Sequence, residues 1–108
     1  MNPLEKNTAI ALALGYTYDD RVMLYDGEEI KFRLWRTPSG GGMERSGPPN
    51  YSGDLNAMHE AEETLIKDDP HAYGCYSSNL YEDYENFIHL TAAQRAEAFL
   101  KTLNLWQP

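Results

Sequence analysis

The sequence predicts an α+β fold: a small antiparallel sheet layered with three helices as an α-β-α sandwich. Three observations lead there. Helix caps stand before apolar rows of helical spacing at Asn2 and again at Thr91. An apolar run, Val22 to Tyr25, precedes Asp26-Gly27, and after it Ile30, Phe32 and Leu34 alternate with Lys31, Arg33 and Trp35. A further helical row follows Asn50-Tyr51-Ser52-Gly53-Asp54. Helices with one apolar stripe and a sheet with one apolar face must cover each other, and a layered arrangement does so. The 108 residues suit one domain spanning 1–108. A chain of that length buries roughly two thirds of the surface it exposes unfolded, enough for a core without covalent staples.

The elements follow in order. Asn2 caps a helix with Pro3 in its first position, where a missing amide hydrogen costs nothing. Leu4, Ile10, Ala11 and Leu14 share one side of it, and Gly15 stops it. Val22 to Tyr25 is an apolar strand, and Asp26-Gly27 accepts the positive φ of a hairpin turn. Ile30, Phe32 and Leu34 then alternate with Lys31, Arg33 and Trp35, so one face meets a core and the other carries two bases and an indole. Residues 37–49, TPSGGGMERSGPP, are a flexible Gly/Pro loop. Ser52 or Asp54 opens a second helix with the stripe Leu55, Met58, Ala61, Leu65 and Ile66, and Asp69-Pro70 closes it. One or two short strands are expected between His71 and Asn86, one of them near Tyr73–Tyr76, and another over Phe87–Leu90. Thr91 and Gln94 form a capping box for the last helix. Ala92, Ala96, Phe99, Leu100 and Leu103 line its buried side, with Leu105 and Trp106 packed beneath its end.

Charge narrows the classes of function. The formal net charge is −8, from nine Lys and Arg against 17 Asp and Glu. Between Ser52 and His89 stand nine acids and one base, Lys67, while five of the nine bases lie between Arg21 and Arg45. One flank is therefore acidic and another near neutral, which argues against direct binding of nucleic acid or of an anionic membrane. Cys75 is the sole cysteine, so a disulfide within the chain is excluded and a reducing cytoplasm fits. Ala9 to Leu14, the longest apolar run, is too short for a bilayer span or a signal peptide.

Two segments carry a resemblance. PPNYSGDLNAMHEAEETL, from Pro48 to Leu65, and LTAAQRAEAFLKTLNLW, from Leu90 to Trp106, resemble the bacteriophage ABA-sandwich domain family. The first matches its Pro-x-Tyr-Ser-x-Asp-hydrophobic helix start and the second its Thr-Ala-x-x-Arg-Ala segment. IALALGY, from Ile10 to Tyr16, is similar to the family's first helix and its aromatic exit. The likeness covers nearly the whole chain and departs between Tyr73 and Tyr84. It implies phage or prophage origin and a layered helix–sheet–helix fold. It carries over no catalytic motif, and a fold does not by itself supply a function.

Candidate sites each have a plain packing alternative. His59 and Glu63 lie one helical turn apart and offer two metal ligands, but the His-Glu-x-x-His pattern of a zinc protease needs a second histidine. Glu62 falls inside the apolar stripe of its helix. A carboxylate there must pair with Arg33, Arg36 or Arg95, reach water at the sheet edge, or sit at the mouth of a pocket. Ser39 to Gly42 lacks the Gly-Lys-Ser/Thr ending of a phosphate loop, though its amides with Arg36 and Arg45 would suit an anion. Trp35 with Lys31 and Arg33 is the most ligand-like group, an indole flanked by cations, and a helix cover over it is the alternative. Cys75 has no activating neighbour in sequence.

The expectation is a non-catalytic accessory protein without cofactor, acting in the host cytoplasm, that sequesters or blocks a host component. A host defence protein or a nucleotide-like signal is the expected target, and an anti-defence role the expected effect. A small-molecule target calls for a pocket joining Trp35 or a tyrosine such as Tyr76 to an arginine, with Arg33, Arg36, Arg45 and Glu62 as its polar set. The alternative is an acidic DNA mimic that inhibits a DNA-binding protein through the flank from Asp54 to Glu85. A metal-dependent hydrolase built on His59 and Glu63 comes last. A homodimer follows if an apolar helix face stays uncovered.

Overall fold

The computed structural model describes residues 1–40, 43–44, 47–83 and 89–108, with the backbone alone at 43, 44 and 83. The class is α+β. The order is α1 (Pro3–Ala13), β1 (Thr17–Tyr25), β2 (Glu28–Arg36), β3 (Met43–Glu44), α2 (Leu55–Asp68), α3 (Pro70–Asp83) and α4 (Ala92–Thr102). The described sheet is antiparallel with strand order β1-β2-β3.

α4 is the hub, touching each of the other three helices, while α3 also packs on α2. The shared core contains Ile10 of α1, Met58 of α2, Tyr76 of α3, and Phe99 and Leu100 of α4. Each is a side chain whose full burial stabilises by about 1.5–3 kcal/mol. Three helix starts are fixed by local chemistry. The Asn2 side chain accepts from Glu5 N at 2.8 Å, and the Glu5 carboxylate accepts from Asn2 N at 3.3 Å. Asp54 accepts from Asn56 N at 2.9 Å. Thr91 and Gln94 exchange the same reciprocal pair as Asn2 and Glu5.

The largest difference from the sequence expectation lies in residues 70–83, which form a fourth helix where strands were expected. Tyr73, Tyr76 and Leu80 recur at helical spacing, Tyr76 and Leu80 are buried, and Tyr73 is half-buried. Asp69-Pro70 closes α2 and also opens α3, because Asp69 Oδ1 accepts from Ala72 N at 3.1 Å. Of the strand expected over Phe87–Leu90, residues 87 and 88 lie outside the described residues, while His89 is in a helical turn and Leu90 is buried just before α4, neither of them in a strand.

The hairpin differs in a second way. Its register runs from Thr17↔Arg36 to Tyr25↔Glu28, so Asp26-Gly27 is a two-residue turn with φ of +54° and +82°. Both values are those that the favoured hairpin turn requires. The face expected to meet the core holds Ile30, Phe32 and Leu34, yet Ile30 is exposed and the other two are only half-buried. Trp35, on the opposite face, enters the core instead and keeps 4% of its surface. One indole at the foot of the hairpin fills the space beside the helices, and the shaft runs outward from there. β3, in a segment expected to lack regular structure, pairs only with Trp35 and Arg36. Every residue of β1 is exposed, and the molecule measures 56 × 26 × 23 Å.

The helix stripes are also shifted. Leu4, Leu55 and Ile66, expected inside, are exposed, while Asn7 and Glu62 are buried. Among the described residues, no helix is long and apolar enough to cross a membrane.

Candidate binding site

The two strands place Arg33 and Arg36 on opposite faces, because positions three apart in a strand point to opposite sides. On one face Tyr18 stands across from Trp35, and Asp20 across from Arg33. The Tyr18 and Trp35 rings lie 5.0 Å apart, and the Arg33 guanidinium sits 3.9 Å above the Tyr18 ring. Arg33 Nε donates to Asp20 Oδ1 at 2.9 Å. That hydrogen bond, ahead of the other influences, raises the Arg33 pKa further, so its charge is permanent. On the other face, Asp19 Oδ2 lies 3.5 Å from Arg36 Nη2 and 3.7 Å from Arg21 Nη2. Asp19 and Asp20 thus supply the partners that the candidate arginines need, and Trp35 stacks on protein beneath Tyr18.

Glu62 is paired with Arg95 and not with Arg33 or Arg36. Arg95 Nη1 reaches both carboxylate oxygens, at 3.2 and 3.3 Å, and the two side chains keep only 13% and 12% of their surfaces exposed. The pair ties α2 to α4. Tyr76 of α3 is buried beside it and stacks edge-on against Phe99, with centroids 5.6 Å apart. Burial pushes the Tyr76 phenol well above its ordinary pKa; Glu62 adds to the rise and Arg95 opposes it. Tyr51 is raised in the same direction, first by burial and then by Tyr16 and Glu60. Glu62 and Tyr76 therefore sit inside the helical body, apart from Arg33 and Arg36 on the hairpin.

Arg45, Gly41 and Gly42 lie outside the described residues. Gly40, at φ +75°, closes a turn by donating from its N–H to the Thr37 carbonyl at 2.9 Å. His59 and Glu63 are both exposed on α2. Among the described residues, no group of three or more His, Cys, Asp or Glu side chains is placed to hold a metal ion. Cys75 is exposed on α3, in a shallow groove of about 550 Å³ shared with His71 and Ser78.

A groove of about 680 Å³ runs along the outer side of α1. Leu4, Thr8 and Leu12 form its length, Leu105 of the C-terminal segment faces them, and Arg33 and Glu5 supply charge. Leu4 and Leu12 are 66% and 44% exposed, so this row is open. The sequence did contain the signal. Leu4, Thr8 and Leu12 repeat every four residues, beside a separate row, Asn7, Ile10, Ala11 and Leu14, that faces inward. A helix apolar on more than one side needs more than one neighbour. Asn7 was also missed. Its Oδ1 accepts from the buried Ser52 N–H at 2.8 Å and its Nδ2 donates to Asn50 at 3.1 Å, tying α1 to the approach of α2.

Comparison with protein-family models, with curated proteins and with solved structures finds no match to this chain.

Proposed function

We propose that the chain is a non-catalytic binding protein that blocks or sequesters a host component, with the α1 groove as its contact surface. The observation that carries this reading is the open apolar row Leu4–Thr8–Leu12 facing Leu105, with the Arg33 guanidinium at its side. An apolar floor bordered by Glu5 and by Arg33, whose Nε is already bonded to Asp20, suits a protein segment that presents an apolar side chain. The same geometry favours a protein target over a nucleotide-like one, since Trp35 and Tyr76 are buried away from this groove. A phage or prophage accessory role in the host cytoplasm is the setting that the ABA-sandwich resemblance suggests, and defence proteins are the natural class of target.

Native mass spectrometry of the chain purified from host cells tests the reading. The expected result is a co-purified protein that is lost in a Leu12→Asp variant whose circular dichroism is unchanged. Bound nucleotide or stoichiometric metal in its place would replace it.

One observation favours the second reading, an acidic DNA mimic. Glu60, Glu63 and Asp68 are all exposed on α2, whereas Glu62 is turned inward to Arg95. A mimic binds a DNA-binding protein with an affinity that falls steeply as salt rises. It is insensitive to Leu12→Asp and is lost on Glu60→Gln/Glu63→Gln.

A further inference from the structure

The β1–β2 hairpin is an arm. Nine-residue strands span about 30 Å, and beyond the foot of the arm its side chains lie largely in water. Val22, Met23, Leu24, Tyr25 and Ile30 are all exposed. Among the described residues only Trp35 and Arg36 of β2 have a strand on their outer side. A two-stranded hairpin is marginal by itself in water and gains stability from a third strand or a covering surface. An apolar arm with open edges is thus a surface made to be covered.

Charge along the arm identifies the cover. The tip, from Leu24 to Ile30, holds Asp26, Glu28 and Glu29 and no base, a net charge of −3. The shaft, Thr17–Met23 with Lys31–Arg36, holds Arg21, Lys31, Arg33 and Arg36 against Asp19 and Asp20, a net charge of +2. Two such arms laid side by side in the same direction set tip against tip. Laid in opposite directions, each acidic tip lies over the basic shaft of the other. The face opposite Trp35 carries Met23 and Ile30 on one rung, with Glu28 two rungs towards the tip and Arg21 two rungs towards the foot; Arg36, and the Asp19 that lies beside both arginines, sit nearer the foot, while Asp20, Glu29, Lys31 and Arg33 belong to the other face. Its apolar centre and oppositely charged ends make that face complementary to its own two-fold copy.

We infer that two copies of this chain associate through their hairpin arms, antiparallel and with the Met23–Ile30 faces together. Of the residues lining the α1 groove only Arg33 belongs to the shaft, and it lies on the face away from Met23 and Ile30, so Ile30→Asp tests the inference separately from the proposed function. The arms are narrow, below the area of a standard stable interface. The association is therefore concentration-dependent and weakens with salt.

Sedimentation equilibrium of the full chain at low salt tests it. The wild type is expected to show a monomer–dimer equilibrium that shifts towards monomer in high salt. Ile30→Asp abolishes the dimer. Glu28→Lys/Glu29→Lys, confined to the exposed tip, weakens self-association by about tenfold or more, and so does Arg21→Glu/Lys31→Glu in the shaft. Mixing the basic-tip and acidic-shaft variants restores a dimer, because each tip again meets a shaft of opposite sign. A wild type that stays monomeric at all concentrations would overturn the inference. So would a dimer indifferent to Ile30→Asp and to tip reversal, or an arm covered only by a foreign protein.

Discussion

In the helical body, Ile10, Met58, Tyr76, Phe99 and Leu100 are fully buried, whereas along β1 every residue meets solvent. The two regions draw on different sources of stability. The body is held by apolar burial among four helices, with the nearly buried Glu62–Arg95 ion pair between α2 and α4. The arm is held by its turn, by the backbone ladder and by cross-strand pairs such as Tyr18–Trp35 and Asp20–Arg33. A change in the body should act on the whole molecule. A change in the arm should act on the arm and on what covers it.

The largest effect separating them is expected at high pH. Tyr51 and Tyr76 are held protonated by burial, with folded pKa values raised above the ordinary value of about 10. Their stabilising contribution is complete below pH ~10 and is lost as pH rises through the folded values, since only the unfolded chain ionises readily there. Chemical denaturation across the alkaline range should therefore show falling stability, and Tyr76→Phe should make that fall shallower.

Next comes Glu62→Ala, which leaves the Arg95 guanidinium largely buried without its carboxylate. The expected loss is about 3–5 kcal/mol in urea unfolding. Asn7→Ala removes the acceptor of a buried amide and is expected to cost about 1–3 kcal/mol by the same measurement. In the arm, Gly27→Ala meets open space but a φ of +82°, so its cost is conformational, about 1 kcal/mol. Hydrogen exchange should show it as faster exchange of the β1–β2 ladder, with α4 amides protected as before. The smallest effect belongs to Leu24→Ser, at a side chain 73% exposed. Dilute protein should change in stability by no more than about 0.5 kcal/mol. A large loss there would show that the arm is not independent of the body.

The helix starts and the turn were legible because their chemistry is local. Asn2 with Pro3, Thr91 with Gln94, and Asp26-Gly27 each act within four residues, and the structure places all three as expected, adding a return bond from Asn2 N to Glu5. Asp69-Pro70 shows how a legible signal was half read. It is the same acceptor-then-proline pattern as Asn2-Pro3, but its position at the end of an apolar stripe made it look only like a stop. The glycine and five tyrosine or serine residues that follow then hid the helical spacing of Tyr73, Tyr76 and Leu80. The partner of Glu62 was narrowed to three arginines, and distance in the fold selected Arg95. Of the candidate ligand set, Arg33 reaches the α1 groove, whereas Trp35, Glu62 and Tyr76 went to the interior.

By itself the sequence determined the α+β class, the caps, the hairpin register implied by a two-residue turn, and the uneven spread of charge. Those properties follow from backbone dihedral preferences, short-range hydrogen bonds and composition. Only the tertiary structure decided which face of β2 is covered, that Leu4 and Leu12 remain open while Asn7 does not, and that the hairpin leaves the body as an arm. Burial is a competition among surfaces remote in sequence: one tryptophan at the foot of the hairpin fits beside the helices, while Ile30 on the other face stays exposed and Phe32 and Leu34 only half-buried.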